Sequence, residues 1–187
     1  MTRTKGFLLQ TVLVITCGPS LFGQNPAHPP RQRVSFGFAD GKRVSVEYGP
    51  LRARERKIFG AVVPYGKIWG SGGGQATSLT TNVCLQIDNV VVPAGTYSVY
   101  LLPSAEDWLL ILNQKIGQSA DNYPAGYDFA RIKAKKRSLG EAVDPFTIVF
   151  NSHGPGGGAI KFRWGDTEVW VNFQEQLGSS EDANDAS

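Results

Sequence analysis

The chain has 187 residues, with 19 Lys and Arg against 16 Asp and Glu, a formal charge of +3. That length suits one ordinary domain and not two, and a hydrophobic share of 41% supplies a core without disulfides or metal. Arg3 and Lys5 lie in an N-terminal leader; the remaining 17 basic against 16 acidic residues leave +1, which excludes the concentrated basic face of a nucleic-acid binder.

Arg3 and Lys5 precede an apolar stretch from Gly6 to Thr16 that carries Leu8, Leu9, Val12, Leu13, Val14 and Ile15. A run of roughly ten residues fits the core of a secretory signal and is too short to cross a bilayer. Small residues at Gly18, Ser20 and Gly23 offer cleavage positions. The expected signal peptide covers residues 1–23, and a Pro-rich leader containing Asn25, Pro26, His28 and Pro29 covers 24–32. The product is then periplasmic or secreted. A second reading stays open: Val14-Ile15-Thr16-Cys17 resembles a lipobox, whose lipidated Cys17 would anchor the protein to a membrane, although Thr16 stands where Gly or Ala is usual.

From residue 33 the hydrophobic period is two. Val44, Val46 and Tyr48 alternate with Arg43, Ser45 and Glu47. Leu79, Thr81, Val83, Leu85 and Ile87 alternate with polar residues and Cys84, and Val169, Val171 and Phe173 alternate with Glu168, Trp170 and Asn172. This is the signature of strands with one face on a core. Leu109 to Leu112 and Ile148 to Phe150 are continuously apolar, as in strands covered on both faces. Asp40-Gly41 predicts a hairpin turn, and Asp88-Asn89, Pro93 to Gly95, Ser104 to Asp107 and Gly165-Asp166 predict further turns. Gly126 to Ala134 has room for one short helical turn.

Short antiparallel strands without βαβ spacing point to an all-β fold. The expectation is a single antiparallel β-sandwich domain, jelly-roll-like or immunoglobulin-like, over residues 33–176. The acidic tail over 177–187 is expected to be disordered. Cys84 is the one cysteine that clearly belongs to the mature domain, and it is expected to be buried and inert.

The segment Arg56-Lys57-Ile58-Phe59-Gly60, then Val63-Pro64-Tyr65-Gly66-Lys67-Ile68-Trp69, then Ala76-Thr77, resembles the bacterial family called domain of unknown function 2911. Pro93 to Ser98, Asp107-Trp108 to Asn113, and Tyr127-Asp128 with Arg131 resemble its later blocks, so the likeness covers about residues 33–173. The resemblance implies an exported protein and supplies no reaction. The family tends to follow the Trp with Arg-Thr-Gly-Ala-Asn-Glu-Ala-Thr. Here Gly70, Gly74 and Gln75 replace the Arg, the Asn and the Glu.

Chemistry-bearing patterns are few. His28 and His153 each stand in a Pro/Gly-rich loop without a second ligand at metal spacing. A Ser-His-Asp set would need His153 as base, and no Gly-x-Ser-x-Gly elbow accompanies it. Glu47 and Asp128 are candidates for paired acids. Gly72 to Gly74 and Gly154 to Gly158 lack the Lys-Ser/Thr of a phosphate loop and read as flexible loops. Two basic runs, Arg52, Arg54, Arg56 and Lys57, and Lys133, Lys135, Lys136 and Arg137, read mainly as solvated surface and alternatively as contacts to an acidic polymer or lipid. Trp69 and Trp170 could stack on a ligand or simply pack.

The preferred expectation is a non-catalytic binding protein for a ligand or cell-envelope component, without cofactor, metal or nucleic acid, and at a membrane only through a lipidated Cys17. Its site residues would be Arg52, Arg56, Tyr65, Trp69, Ser71 and Gln75. The alternative is an envelope hydrolase with unidentified catalytic carboxylates.

Overall fold

The computed structural model describes residues 30–177. The expected signal peptide, the lipobox at Cys17, His28, most of the leader and most of the tail lie outside them.

Nine strands form the domain: β1 (Gln32–Gly37), β2 (Arg43–Tyr48), β3 (Thr77–Thr81), β4 (Leu85–Ile87), β5 (Val90–Val92), β6 (Gly95–Leu102), β7 (Trp108–Asn113), β8 (Asp128–Ser152) and β9 (Gly157–Glu175). They make one antiparallel sheet in the order β1-β2-β3-β6-β7-β8-β9-β4-β5. The fold is all-β, as the period of two predicts. Among the described residues, the one helical turn is a 3-10 turn at Ala39–Gly41, and no helix is long and apolar enough to cross a membrane.

The sheet folds over on itself at β8 and β9. Residues 128–134 of β8 pair with β7, and residues 135–152 pair with β9. The register of the second pairing shifts twice, between Ser138 and Val143 and again before Thr147. Bulges of this kind bend a strand and raise its twist. The two halves of the sheet therefore face each other across one core, in a sandwich-like arrangement. Val44, Val46, Leu79, Val99, Leu110 and Leu112 from one half meet Leu85, Ile87, Ile148, Phe162, Val169 and Val171 from the other. Edge-on aromatic pairs tie the halves together, Phe36 with Phe173 at 5.1 Å and Tyr48 with Phe146 at 5.7 Å between ring centroids.

A smaller cluster of Ala76, Tyr100 and Ile111 sits on the opposite face of β6 and β7, beneath Ile68 and Tyr123. It explains why Leu109 to Leu112 is apolar on both sides.

Several turns are as the sequence predicts. Asp40 and Gly41 both take positive φ, 57° and 74°, between β1 and β2. Three expectations need correction. The alternation from Leu79 to Ile87 is two strands, because β3 pairs with β2 and β6 while β4 pairs with β5 and β9 in the other half. Gly165-Asp166 does not join two strands; β9 runs through it with a bend. Gly126 to Ala134 forms no helical turn; β8 begins at Asp128, because its neighbour β7 offers a free edge. Cys84 lies half-buried in the link between β3 and β4.

Candidate functional site

The irregular segment from Arg52 to Trp69 crosses the open end of the sandwich. Its sequence is explained residue by residue. Arg54 and Glu55 turn the chain with positive φ, and Arg56 closes that turn by donating Nε to the Ala53 carbonyl at 3.0 Å. Ile58 sits over Gly165 at the bend of β9, where a Cβ would lie 2.8 Å from its Cδ1. Phe59 packs edge-on against Trp108 at 4.9 Å and Trp164 at 6.4 Å. Gly60 has φ +83°, and the Tyr65 ring lies over it. Val63 is buried, and its N–H donates to the Ile58 carbonyl at 2.9 Å. The hallmark residues thus build a compact loop docked on the β9 bend.

Trp69 is not an open stacking platform. Its ring is stacked on Trp164 at 5.7 Å and 18° and meets Phe146 at 5.1 Å, while its backbone exchanges hydrogen bonds with Leu101 at 2.8 Å. Ser71 is fully buried, and its hydroxyl donates to the Val99 carbonyl at 2.9 Å. It offers no surface to a ligand. Gln75 is exposed, and its carbonyl accepts from Arg31 at 2.9 Å. Arg52 is exposed without a hydrogen bond among the described residues. The structure brings together only Arg56 and Tyr65 of the six expected residues.

The run Gly70 to Gly74 is packed into the domain and not an open loop. It is inserted between Gly49 and the loop at residues 118–122. Gly73 N–H donates to the Gly49 carbonyl at 3.0 Å, and Ala120 N–H donates to the Gly74 carbonyl at 2.7 Å. A Cβ on Gly70 would lie 2.5 Å from the Ala120 carbonyl oxygen and 2.6 Å from its Cα. An Arg at position 70, as in the resembled family, therefore cannot enter this arrangement unless the 118–122 loop moves. Gly70→Ala is expected to destabilise the domain by about 1–3 kcal/mol through overpacking. Thermal unfolding checks this, and an unchanged midpoint would show that the loop yields freely. The second run, Gly154 to Gly158, is the tip of the β8–β9 hairpin; Gly157 and Gly158 leave no space for a Cβ against Phe173 and Asn151.

The acidic candidates are not paired. Glu47 and Asp128 stand on β2 and β8, four strands apart in the sheet. Arg31 at 3.0 Å and Arg33 at 2.7 Å hold Glu47, and hydrogen bonds from Arg33 and Arg31 keep its carboxyl below the ordinary range. Asp128 accepts from Asn113 at 2.9 Å, Tyr123 at 2.5 Å and Arg131 at 2.9 Å. Burial pushes its pKa up, but these three donors outweigh it and the net direction is down. The network pins the loop at residues 114–127 over the Tyr100 cluster, which accounts for Asp128 and Arg131 as architecture, while the Tyr127 ring stays about half exposed.

Sequence reasoning misplaced one acid. Glu168, which alternation puts toward water, is at 0% exposure. Arg163 Nε lies 2.5 Å from its Oε2, Arg137 lies 2.8 Å and Lys161 3.5 Å from its Oε1. Burial raises its pKa, yet the Arg163 hydrogen bond and the charges of Arg163, Lys161 and Arg137 reverse the direction and hold the carboxyl low. Trp170 stands beside this cluster under Arg137 at 5.8 Å and Lys161 at 6.0 Å.

A cavity of about 450 Å³ opens between the hallmark loop and the β8–β9 bend. Arg56, Lys57, Lys136 and Arg137 surround it, and Asp166 is the one carboxylate in its lining. Phe59 and Trp108 line its apolar side, and Tyr65, 48% exposed, stands at its rim. Trp108 is buried, and its indole N–H has no acceptor among the described residues. A larger cavity of about 760 Å³ lies at the hairpin tip beside His153, but Gly main chain and amides dominate its lining. Its acids are Asp88 and Glu175: Glu175 is paired with Lys42 at 2.7 Å, and Asp88 accepts from the Asn172 amide at 3.4 Å. Among the described residues, no three of His, Cys, Asp and Glu converge as metal ligands would.

A family model described as "Protein of unknown function (DUF2911)" matches residues 29–173. No curated protein and no solved structure matches the chain.

Proposed function

We propose, for a chain that belongs to this family of proteins of unknown function, that it is an exported, non-catalytic β-sandwich protein that captures a ligand or cell-envelope partner in the cavity beneath the hallmark loop. One observation carries this reading. The most distinctive segment of the sequence, residues 56–69, walls a cavity that gathers four cations over aromatic rings. Concave sites with an apolar wall and a few convergent polar groups are the usual form of small-ligand pockets.

Arg56 and Tyr65 are exposed, so replacing both by Ala should leave the fold intact. Such surface changes move stability by roughly 0.5 kcal/mol or less. The expected result is an unchanged circular dichroism spectrum and loss of most capture of envelope components. Full capture by the double variant would move the site elsewhere. Intact mass of the mature protein tests the export reading on the same sample: a start near Asn25 supports a cleaved signal, and an acylated Cys17 supports the anchored form.

A further inference from the structure

We infer that the group taken by this cavity is a phosphate, carried on an organic body that lies against Phe59 and Trp108. The inference rests on the binding reading above and deepens it.

The cations are two Arg and two Lys against the single carboxylate of Asp166. That carboxylate already accepts the neighbouring Thr167 hydroxyl at 3.0 Å. A monocarboxylate would neutralise one charge and leave the rest uncompensated. A phosphate carries up to two charges and three strong acceptor oxygens, which match planar Arg forks and point-like Lys ammonium groups together. Three of the four cations have no charged partner among the described residues, and the fourth, Arg137, is paired with the buried Glu168 at 2.8 Å. The Lys57 ammonium makes no hydrogen bond or ion pair among the described residues, and its carbonyl accepts from the Val62 N–H at 3.3 Å. Arg56 uses Nε on the Ala53 carbonyl and keeps its other donors. Lys136 reaches the Ala105 carbonyl, a neutral partner. Arg137 is half exposed while it touches Glu168.

The apolar side of the cavity is formed by Phe59 and Trp108, and Trp108 is 2% exposed. The aromatic wall favours a phosphate attached to a ring or chain over the bare ion.

The test titrates the mature protein with phenyl phosphate and with inorganic phosphate by calorimetry, at low and high salt. A second arm uses phosphatidylglycerol in phosphatidylcholine vesicles, with phosphatidylcholine alone as reference. Saturable binding of phenyl phosphate that weakens with salt is expected, tighter than inorganic phosphate. Arg56→Gln with Lys57→Gln should lose affinity at least tenfold. Lys133→Gln, whose ammonium pairs with Asp107 outside the cavity, should leave it unchanged.

Binding to soluble phosphates assigns a free phosphorylated ligand. Binding to phosphatidylglycerol vesicles alone assigns a lipid headgroup, and both outcomes uphold phosphate recognition. No binding in either arm, or equal loss in Lys133→Gln, overturns it. Envelope capture that persists while both phosphate arms fail would sink the phosphate assignment and spare the binding reading.

Discussion

Trp164→Ala is expected to lower stability by about 3–5 kcal/mol, the range for emptying a large aromatic site in a core. Whole domains have about 5–15 kcal/mol, so the variant should lose a large share of the domain's stability. Trp164 is 1% exposed and central to the aromatic cluster. It stacks on Trp69 and meets Phe146 at 6.0 Å and Phe59 at 6.4 Å. Its indole N–H donates to Asp144 at 3.0 Å, and the same carboxylate oxygen accepts from the Ala53 N–H at 2.9 Å. The ring thus supports both ends of the hallmark loop. Trp164→Phe keeps most of the volume and loses the hydrogen bond, and about 1–2 kcal/mol is expected. Urea unfolding of the two variants checks the pair. An Ala variant as stable as its parent would refute the central role of this ring.

Glu168→Ala is the second large effect, at about 3 kcal/mol. Removing one member of a buried ion cluster strands its partners, at roughly 3–5 kcal/mol. The lower end applies because Arg137 is 55% exposed and keeps its hydration. Acid has the same target. The folded carboxyl titrates below its ordinary value, so its contribution is fully present above about pH 4.5 and is lost as pH falls through the lower folded value. The parent should therefore lose stability steeply below about pH 4.5, and Glu168→Gln should flatten that slope. Denaturant midpoints from pH 3 to 7 test this, and parallel curves for parent and variant would exclude Glu168 as a source of the acid sensitivity.

The strands were legible because a half-buried strand leaves a period of two. Val44, Val46 and Tyr48 face inward as their alternation requires. What alternation cannot carry is a change of phase. Phe162 and Trp164 point to the core, and so do Val169, Val171 and Phe173. The inward positions pass from even to odd numbers across Gly165, whose φ is +58°, opposite the register shifts of β8. That switch was present in the sequence, but a bend within one strand and a turn between two strands leave the same trace. Glu168 does lie on the face opposite the core, as its alternation with Val169 requires, but Arg137, Lys161 and Arg163 cover it there, and alternation gives the face without saying what covers it.

The cavity proposed as the site was legible in part. Arg56 and Tyr65, which line it, belong to the most distinctive segment of the sequence. Lys136, Arg137 and Trp108 come from β7 and β8, and only the folding of the sheet brings them to that segment. Trp69 and Ser71 share its distinctiveness and face inward. A motif marks positions that matter without saying whether they matter to a ligand or to a neighbour.

The long β8–β9 hairpin has one consequence for how the molecule comes apart. Its first arm, β8, belongs to both layers, pairing with β7 in one and with β9 in the other, so neither layer keeps all its strand partners when the other opens. A sandwich of two separate sheets can loosen along the seam between them. Here the seam is crossed by continuous backbone hydrogen bonding, which makes the domain one cooperative unit. The cavity is built where those arms bend, and its walls cannot rearrange far without disturbing the whole.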